Sequence, residues 1–183
     1  MNIEIFKPSI DDAKKMIEVL DSTWITTYRD LIPDSILSYR ISIREDRLRE
    51  MSEKILKENN YFVARYNDEI IGLVEYGRSR NSDYKNYGEI YSLYVLEEYQ
   101  GISAGKRLFF KAIKELIEMN YKNMLLNVLV GNKAVNFYEK FDGKIVGKRQ
   151  DDYDGNIVTE NIMIFKDLSN LYKLKVGETD DRN

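Results

Sequence analysis

Between Leu93 and Leu108 a short apolar stretch enters a loop of small residues: Gln100, Gly101, Ile102, Ser103, Ala104 and Gly105. A helical pattern follows, with Lys106 and Arg107 in its first turn. Such a loop turns several backbone N–H groups toward one point, and the start of the helix adds the positive end of its dipole. The chemistry on offer is the holding of a phosphate or pyrophosphate; the plain alternative is a strand-to-helix turn. A nucleotide P-loop does not fit. It needs Gly-x-x-x-x-Gly-Lys-Ser/Thr, whereas three residues separate Gly101 from Gly105 and Arg107 stands where the magnesium-binding hydroxyl belongs. The chain has no Cys and no His. This excludes disulfides, a Cys nucleophile, a Ser-His-Asp triad and a Cys/His zinc site. Acid–base work falls to Asp, Glu, Tyr, Lys or water.

A helix and a strand later comes the run from Asn132 to Lys140, containing Ala134, Phe137 and Tyr138. In combination and order, the two segments resemble the acetyl-CoA signature of the GNAT superfamily of N-acetyltransferases, of the small-substrate bacterial and archaeal type. The first is similar to the family's Gln/Arg-x-x-Gly-x-Gly/Ala loop, with Ser103 where the middle Gly is usual. That Ser gives up the ease of Gly at positive φ but keeps its N–H. The second is similar to Asn-x-x-Ala-x-x-Phe-Tyr-x-Lys. Ala134, Phe137, Tyr138 and Lys140 fall in register, Asn132 is one residue closer to the Ala than is common, and Asp142-Gly143 departs from the usual Gly-Phe ending.

The resemblance implies acetyl-CoA as acetyl donor, no metal, and direct attack by an amine in a ternary complex. It implies that Leu93, Tyr94 and Val95 pair with the pantetheine through their backbone. Residues 100–105 and Lys106 would hold the pyrophosphate, with Asn132, Tyr138 and Lys140 completing the site. The Val95 N–H would stabilise the oxyanion. Tyr138, a phenol of pKa ~10, would give a proton to a thiolate whose acid has pKa ~8.5–10. An alkylamine of pKa ~10 is mostly protonated at neutral pH, so a base is needed. Glu89 stands where several family members place a catalytic Glu, and Glu75 is the second candidate. Trp24 and Tyr28, four residues apart and so on one helix face, resemble a run that shapes the acceptor pocket with Glu75. The acceptor class stays open: a polyamine, an aminoglycoside-like amine, an amino acid or a protein N-terminus. A noncatalytic CoA-binding sensor on the same fold is the alternative, motivated by Ser103 and Asn132.

These groups need elements to hold them. Residues 2–6 alternate as a strand, and Ser9 with Asp12 resembles a capping box. Ile10, Ala13, Ile17, Leu20 and Trp24 recur at helical spacing, with Pro33 as a stop. Residues 35–57 read as one helix or two. Strands follow at 61–66 and 70–78 around Asn67, Asp68 and Glu69, a good hairpin turn. Another strand spans 89–95, where period two puts Glu89, Tyr91, Leu93 and Val95 on one face. Residues 104–119 form the clearest amphipathic helix. Residues 124–130 are apolar except for Asn127, which suits a strand buried on both faces. A short helix over 132–141 precedes strands at 144–149 and 157–165, around a turn at 153–156. The predicted order is β-α-α-β-β-β-α-β-α-β-β, an α/β mixed sheet of GNAT-like fold. Its fourth and fifth strands are parallel through a right-handed crossover, and the resemblance implies a bulge that splays them. The expected domain is 1–168, with 169–183 as a poorly ordered tail.

With 183 residues, one domain is expected. At 43% hydrophobic and 32% charged the chain is globular, and a net charge of -3 argues against a broad basic face for nucleic acid. No apolar run approaches the ~20 residues of a membrane span, and no secretory leader is visible. A cytoplasmic protein with a small-molecule amine acceptor is the simplest reading, and a homodimer is left open.

Overall fold

The computed structural model describes residues 2–153 and 155–180. Seven strands form one sheet in the order β1-β2-β3-β4-β5-β7-β6. They are β1 (Glu4–Phe6), β2 (Tyr61–Tyr66), β3 (Glu69–Arg78), β4 (Gly88–Val95), β5 (Met124–Leu129), β6 (Lys144–Tyr153) and β7 (Asn156–Phe165). Helices α1 (Ala13–Tyr28), α2 (Asp34–Ser42) and α3 (Arg44–Lys57) cover one face. Helices α4 (Ala104–Glu118) and α6 (Leu168–Asp180) cover the other, with α5 (Ala134–Glu139) between β5 and β6. Among the described residues no helix is long and apolar enough to cross a membrane.

Local chemistry accounts for the joints. The Ser9 N–H donates to Asp12 Oδ2 at 2.7 Å, opening the first helical turn. Asn67 and Asp68 adopt φ of 48° and 64°, the left-handed pair that closes a two-residue hairpin between β2 and β3. The 35–57 region resolves into two helices with a break at Ile43. Ile36 of α2 packs with Leu129 and Val158, whereas Met51 and Ile55 of α3 pack beneath α1. One straight helix cannot reach both sites. At the hairpin of β6 and β7, Asp154 lies outside the described residues.

Within the expected tail at 169–183, the described residues, up to 180, are helical. Helix α6 starts at Leu168, and Leu168 and Leu171 are buried in the core beside α4, with the Tyr172 ring 6.3 Å from Phe110. The polar end of the sequence concealed this apolar i, i+3 pair; residues 181–183 lie outside the described part.

Two irregularities position the site. Strands β4 and β5 run parallel but pair only at Gly88–Met124, Glu89–Leu125 and Ile90–Leu126, and beyond this they part. Against β3, Ser92 pairs with Glu75 and Ile90 with Tyr76, so Tyr91 is an extra residue, a β-bulge. The bulge overturns the period-two reading. Cross-strand partners share a face, and Glu89 partners Gly77, on the Glu75 side of the sheet. Glu89 therefore faces α1 with Ser92 and Tyr94, while Leu93 and Val95 face α4.

Candidate active site

The gap between β4 and β5 opens a cleft of about 790 Å³. Its first wall is β4. The Leu96 N–H bonds across to Ile71 of β3, so by alternation the N–H and C=O groups of Leu93 and Val95 turn the other way, into the gap. The Val95 carbonyl there accepts a weak bond from Gln100 Nε2 at 3.3 Å. The far end of the cleft is the loop before α4. Arg107 N–H makes the first bond of that helix, to the Ser103 carbonyl, which leaves the N–H groups of Ala104, Gly105 and Lys106 pointing out of its end. Gly101 has φ +81° and nothing within 4 Å of where a Cβ would stand, so the approach is open. Ser103 itself sits at φ 71°, a left-handed position suited to Gly. The second wall is α5. Phe109, fully buried, packs its ring 5.9 Å from both Phe137 and Tyr138, and so fixes how the Tyr138 ring enters the cleft. Burial pushes the Tyr138 phenol well above the usual range, and the nearby Tyr94 adds to this.

On the α1 side of the sheet lies a second cavity of about 520 Å³. Trp24, Tyr28, Ile36 and Arg40 roof it; Glu75, Ser92, Tyr94 and Asn127 form its floor; Arg80, Arg149, Asp151 and Glu160 line its rim. Trp24 and Tyr28 meet edge to face at 4.8 Å, and the Arg40 guanidinium stacks 3.5 Å from the Trp24 ring centre. The Tyr28 and Tyr94 hydroxyls are hydrogen-bonded at 3.1 Å. Burial raises the Tyr94 phenol, and the Tyr28 bond works against that rise. Glu160 is held up by burial, with Arg149 at 3.5 Å opposing. The two cavities touch at Tyr28, Tyr91, Ser92, Tyr94 and Asn127, where β4 and β5 part.

Glu89 lies behind this floor and is 1% exposed. Its carboxylate accepts three bonds from Arg80: the backbone N–H at 2.7 Å, Nε at 3.0 Å and Nη2 at 2.7 Å. Burial works against the Arg80 charge, and Glu89 outweighs it. Arg80 in turn lies 4.1 Å over the Tyr91 ring, whose hydroxyl donates to the Arg78 carbonyl at 2.6 Å. The Tyr91 hydroxyl occupies the space a side chain at Gly77 would need, 2.5 Å from where its Cβ would stand.

A profile of the Acetyltransferase (GNAT) family matches residues 23–143. The chain belongs to this family. It is thus an N-acetyltransferase by kinship. It is 28% identical over 176 residues to the uncharacterized N-acetyltransferase YuaI of Bacillus subtilis, covering 94% of this chain and 98% of that one. It is 28% identical over 118 residues to the spermidine N(1)-acetyltransferase of Thermoplasma acidophilum, 62% of this chain and 70% of that one. The crystal structure of the PaiA N-acetyltransferase of T. acidophilum, in complex with coenzyme A, superposes with a TM-score of 0.74 at 26% identity, over 91% of this chain and 99% of that one.

Within this GNAT fold the residues named from the sequence fall into three groups. Leu93, Tyr94, Val95, Gln100, Gly101, Ser103, Gly105, Lys106, Asn132 and Tyr138 line the cleft together. Trp24, Tyr28 and Glu75 line the second cavity together. The rest stand apart. Ala104 is fully buried and Ile102 packs on the core, leaving only their backbone to face a ligand. Lys140 is exposed just past α5, outside the cleft lining. The Asn132 side-chain oxygen is committed to the Ala134 N–H at 2.8 Å, which opens α5. Sequence reasoning missed Arg40, Arg80, Arg149 and Glu160. Each is an ordinary charged residue in its own segment, and only the fold gathers them.

Proposed function

We propose that the chain transfers the acetyl group of acetyl-CoA to a small primary amine, with the amine in the α1-side cavity and the pantetheine in the β4–β5 gap. The observation that carries this reading is the meeting of two unlike cavities at the point where β4 and β5 part. The chain's groups suit the donor. The Leu93 and Val95 backbone offers an added strand's worth of bonds, and the α4 start offers N–H groups and Lys106 to a pyrophosphate. Bound acetyl-CoA supplies an electrophilic thioester carbon. The Val95 N–H then donates to the carbonyl oxygen as negative charge grows there. Tyr138, kept firmly protonated by its burial, donates a hydrogen bond to the departing sulfur.

The amine must lose a proton. Glu89 has its oxygens taken by Arg80, so its work in this reading is to hold Arg80 at the rim. Glu75 and Glu160 face the cavity and take the proton through water. The raised Glu160 suits a base, because a carboxylate reluctant to ionise holds a proton better near neutral pH. Three arginines balance the cavity's three acidic side chains, so the lining does not single out a polycation, though the Thermoplasma spermidine acetyltransferase supports a small amine. A thiol-release assay with a panel of amines, alongside melting temperatures with acetyl-CoA, tests the proposal. Release with at least one amine supports it. A melting shift without release by any amine would leave a CoA-binding sensor instead.

A further inference from the structure

Strand β5 carries one polar side chain, Asn127, in an otherwise apolar run. Its Oδ1 is buried and accepts no hydrogen bond. The other buried side-chain oxygen in this state among the described residues is that of Asn59, whose amide is already tied through its nitrogen to the Pro8 carbonyl at 3.0 Å. A buried carbonyl without a donor is costly, and a strand of this kind would be better served by Leu or Val. The location of the cost is informative. Asn127 follows Leu126, the last residue of β5 paired to β4, and its side chain shares the α1 face with Leu129. It lines both cavities, together with Tyr28, Ser92 and Tyr94. Its backbone pairs with Ile162 of β7, a role any residue can fill. An amide does not titrate in water, so it cannot be the base. What it offers is a fixed acceptor, at the end of a soft χ2 torsion that a small rotation re-aims.

We propose that Asn127 orients the acceptor: its side-chain oxygen receives a hydrogen bond from the attacking amine and so aims the nitrogen lone pair at the thioester carbon. The inference rests on the acetyltransferase reading above. In the step it serves, the N–C bond forms and the C–S bond breaks. One amine proton leaves through water, and the thiolate takes up a proton.

The test is Asn127→Leu, with Asn127→Asp as the variant that keeps an acceptor oxygen. Asn127→Leu should melt at or above the parent temperature and keep the acetyl-CoA melting shift. Its kcat/KM for the amine should fall by about 30-fold or more, with kcat lowered as well as KM raised, because a mis-aimed amine binds without reacting. Asn127→Asp should recover a large part of that loss. An unchanged kcat/KM in Asn127→Leu overturns the proposal. So does a lowered melting temperature with a lost acetyl-CoA shift, which would mark Asn127 as structural, and so does an Asp variant no better than Leu. Absence of thiol release by the parent chain with every amine rejects the acetyltransferase reading itself, and this inference with it.

Discussion

The two cavities are built from different materials. The β4–β5 cleft is mostly backbone: the Leu93 and Val95 peptide groups, the N–H groups at the start of α4, and one aromatic wall on α5. Its parts are contiguous, because β4, the loop and α4 follow one another in the chain. The α1-side cavity is made of side chains from α1, α2, β3, β4, β5, β6 and β7, and it holds charges of both signs. A backbone site tolerates much change of sequence while still gripping one ligand. A side-chain site changes its ligand with each substitution. The family relation therefore speaks to the donor, and the acceptor must be read from this chain's own residues.

The sharpest break in that contrast comes from placing a side chain on the backbone site. At Gly105 a Cβ meets only Val95 Cγ2, at 3.7 Å, so the fold has room for it. Gly105→Val should abolish the acetyl-CoA melting shift while the ligand-free melting temperature holds. A retained shift would move the pyrophosphate elsewhere. Next in size, Tyr138→Phe should lower kcat by ~10²-fold with acetyl-CoA affinity nearly unchanged, the scale of lost proton donation. An unaltered single-turnover rate would remove Tyr138 from the chemistry.

Smaller changes sharpen the contrast. Glu89→Gln sets an amide NH₂ against the Arg80 donors. It should cost about 2–3 kcal/mol in denaturant unfolding, below the usual penalty for a broken buried pair because the Arg80 side chain is 59% exposed and can turn to water. If Glu89 were also the base, activity would in addition be lost near neutral pH and partly recovered at high pH. Ser103→Gly should stabilise the chain by ~0.5–1 kcal/mol, as relief of the left-handed Ser outweighs the added freedom of the unfolded chain. The smallest effect on stability is expected of Glu160→Gln. Burial raises the Glu160 pKa in the folded state, so folding favours its protonated form. That contribution is full below the unfolded carboxylate value and is lost as pH rises through the folded one. The variant should melt slightly above the parent at neutral pH, with the difference shrinking toward acid pH.

The same contrast explains what the sequence made legible. Gln100, Gly101, Gly105 and Tyr138 sit in short contiguous motifs whose physics is local, and all four line the cleft. The alternation rule failed at Glu89 because it assumes an unbroken pleat; the family resemblance implied a bulge in this strand, but no residue type in 89–95 marks Tyr91 as its place. The Arg80–Glu89 pair was illegible for another reason: Arg80 follows a strand end and looks like solvent-exposed loop. Asn127 was visible as the odd polar residue of its strand, but its purpose depends on β4 turning away beside it. At the C-terminus, composition outweighed the pattern of Leu168 and Leu171.

The bulge at Tyr91 gives β4 something like a reading frame. Keep Tyr91 but draw it into a regular ladder, with Ser92 still on Glu75, and Tyr91 takes the place opposite Tyr76, so the segment before it slips by one residue and turns to the opposite side. Glu89 would be driven under α4 among apolar side chains, away from Arg80, and Ile90 would be turned out toward the acceptor. Substitutions along β4 alter one contact each, whereas straightening the bulge at unchanged length rewrites the inside and outside of the strand at once. The irregular pairing at Tyr91, more than any one side chain of β4, is thus what keeps Glu89 and Ile90 on their own sides of the sheet.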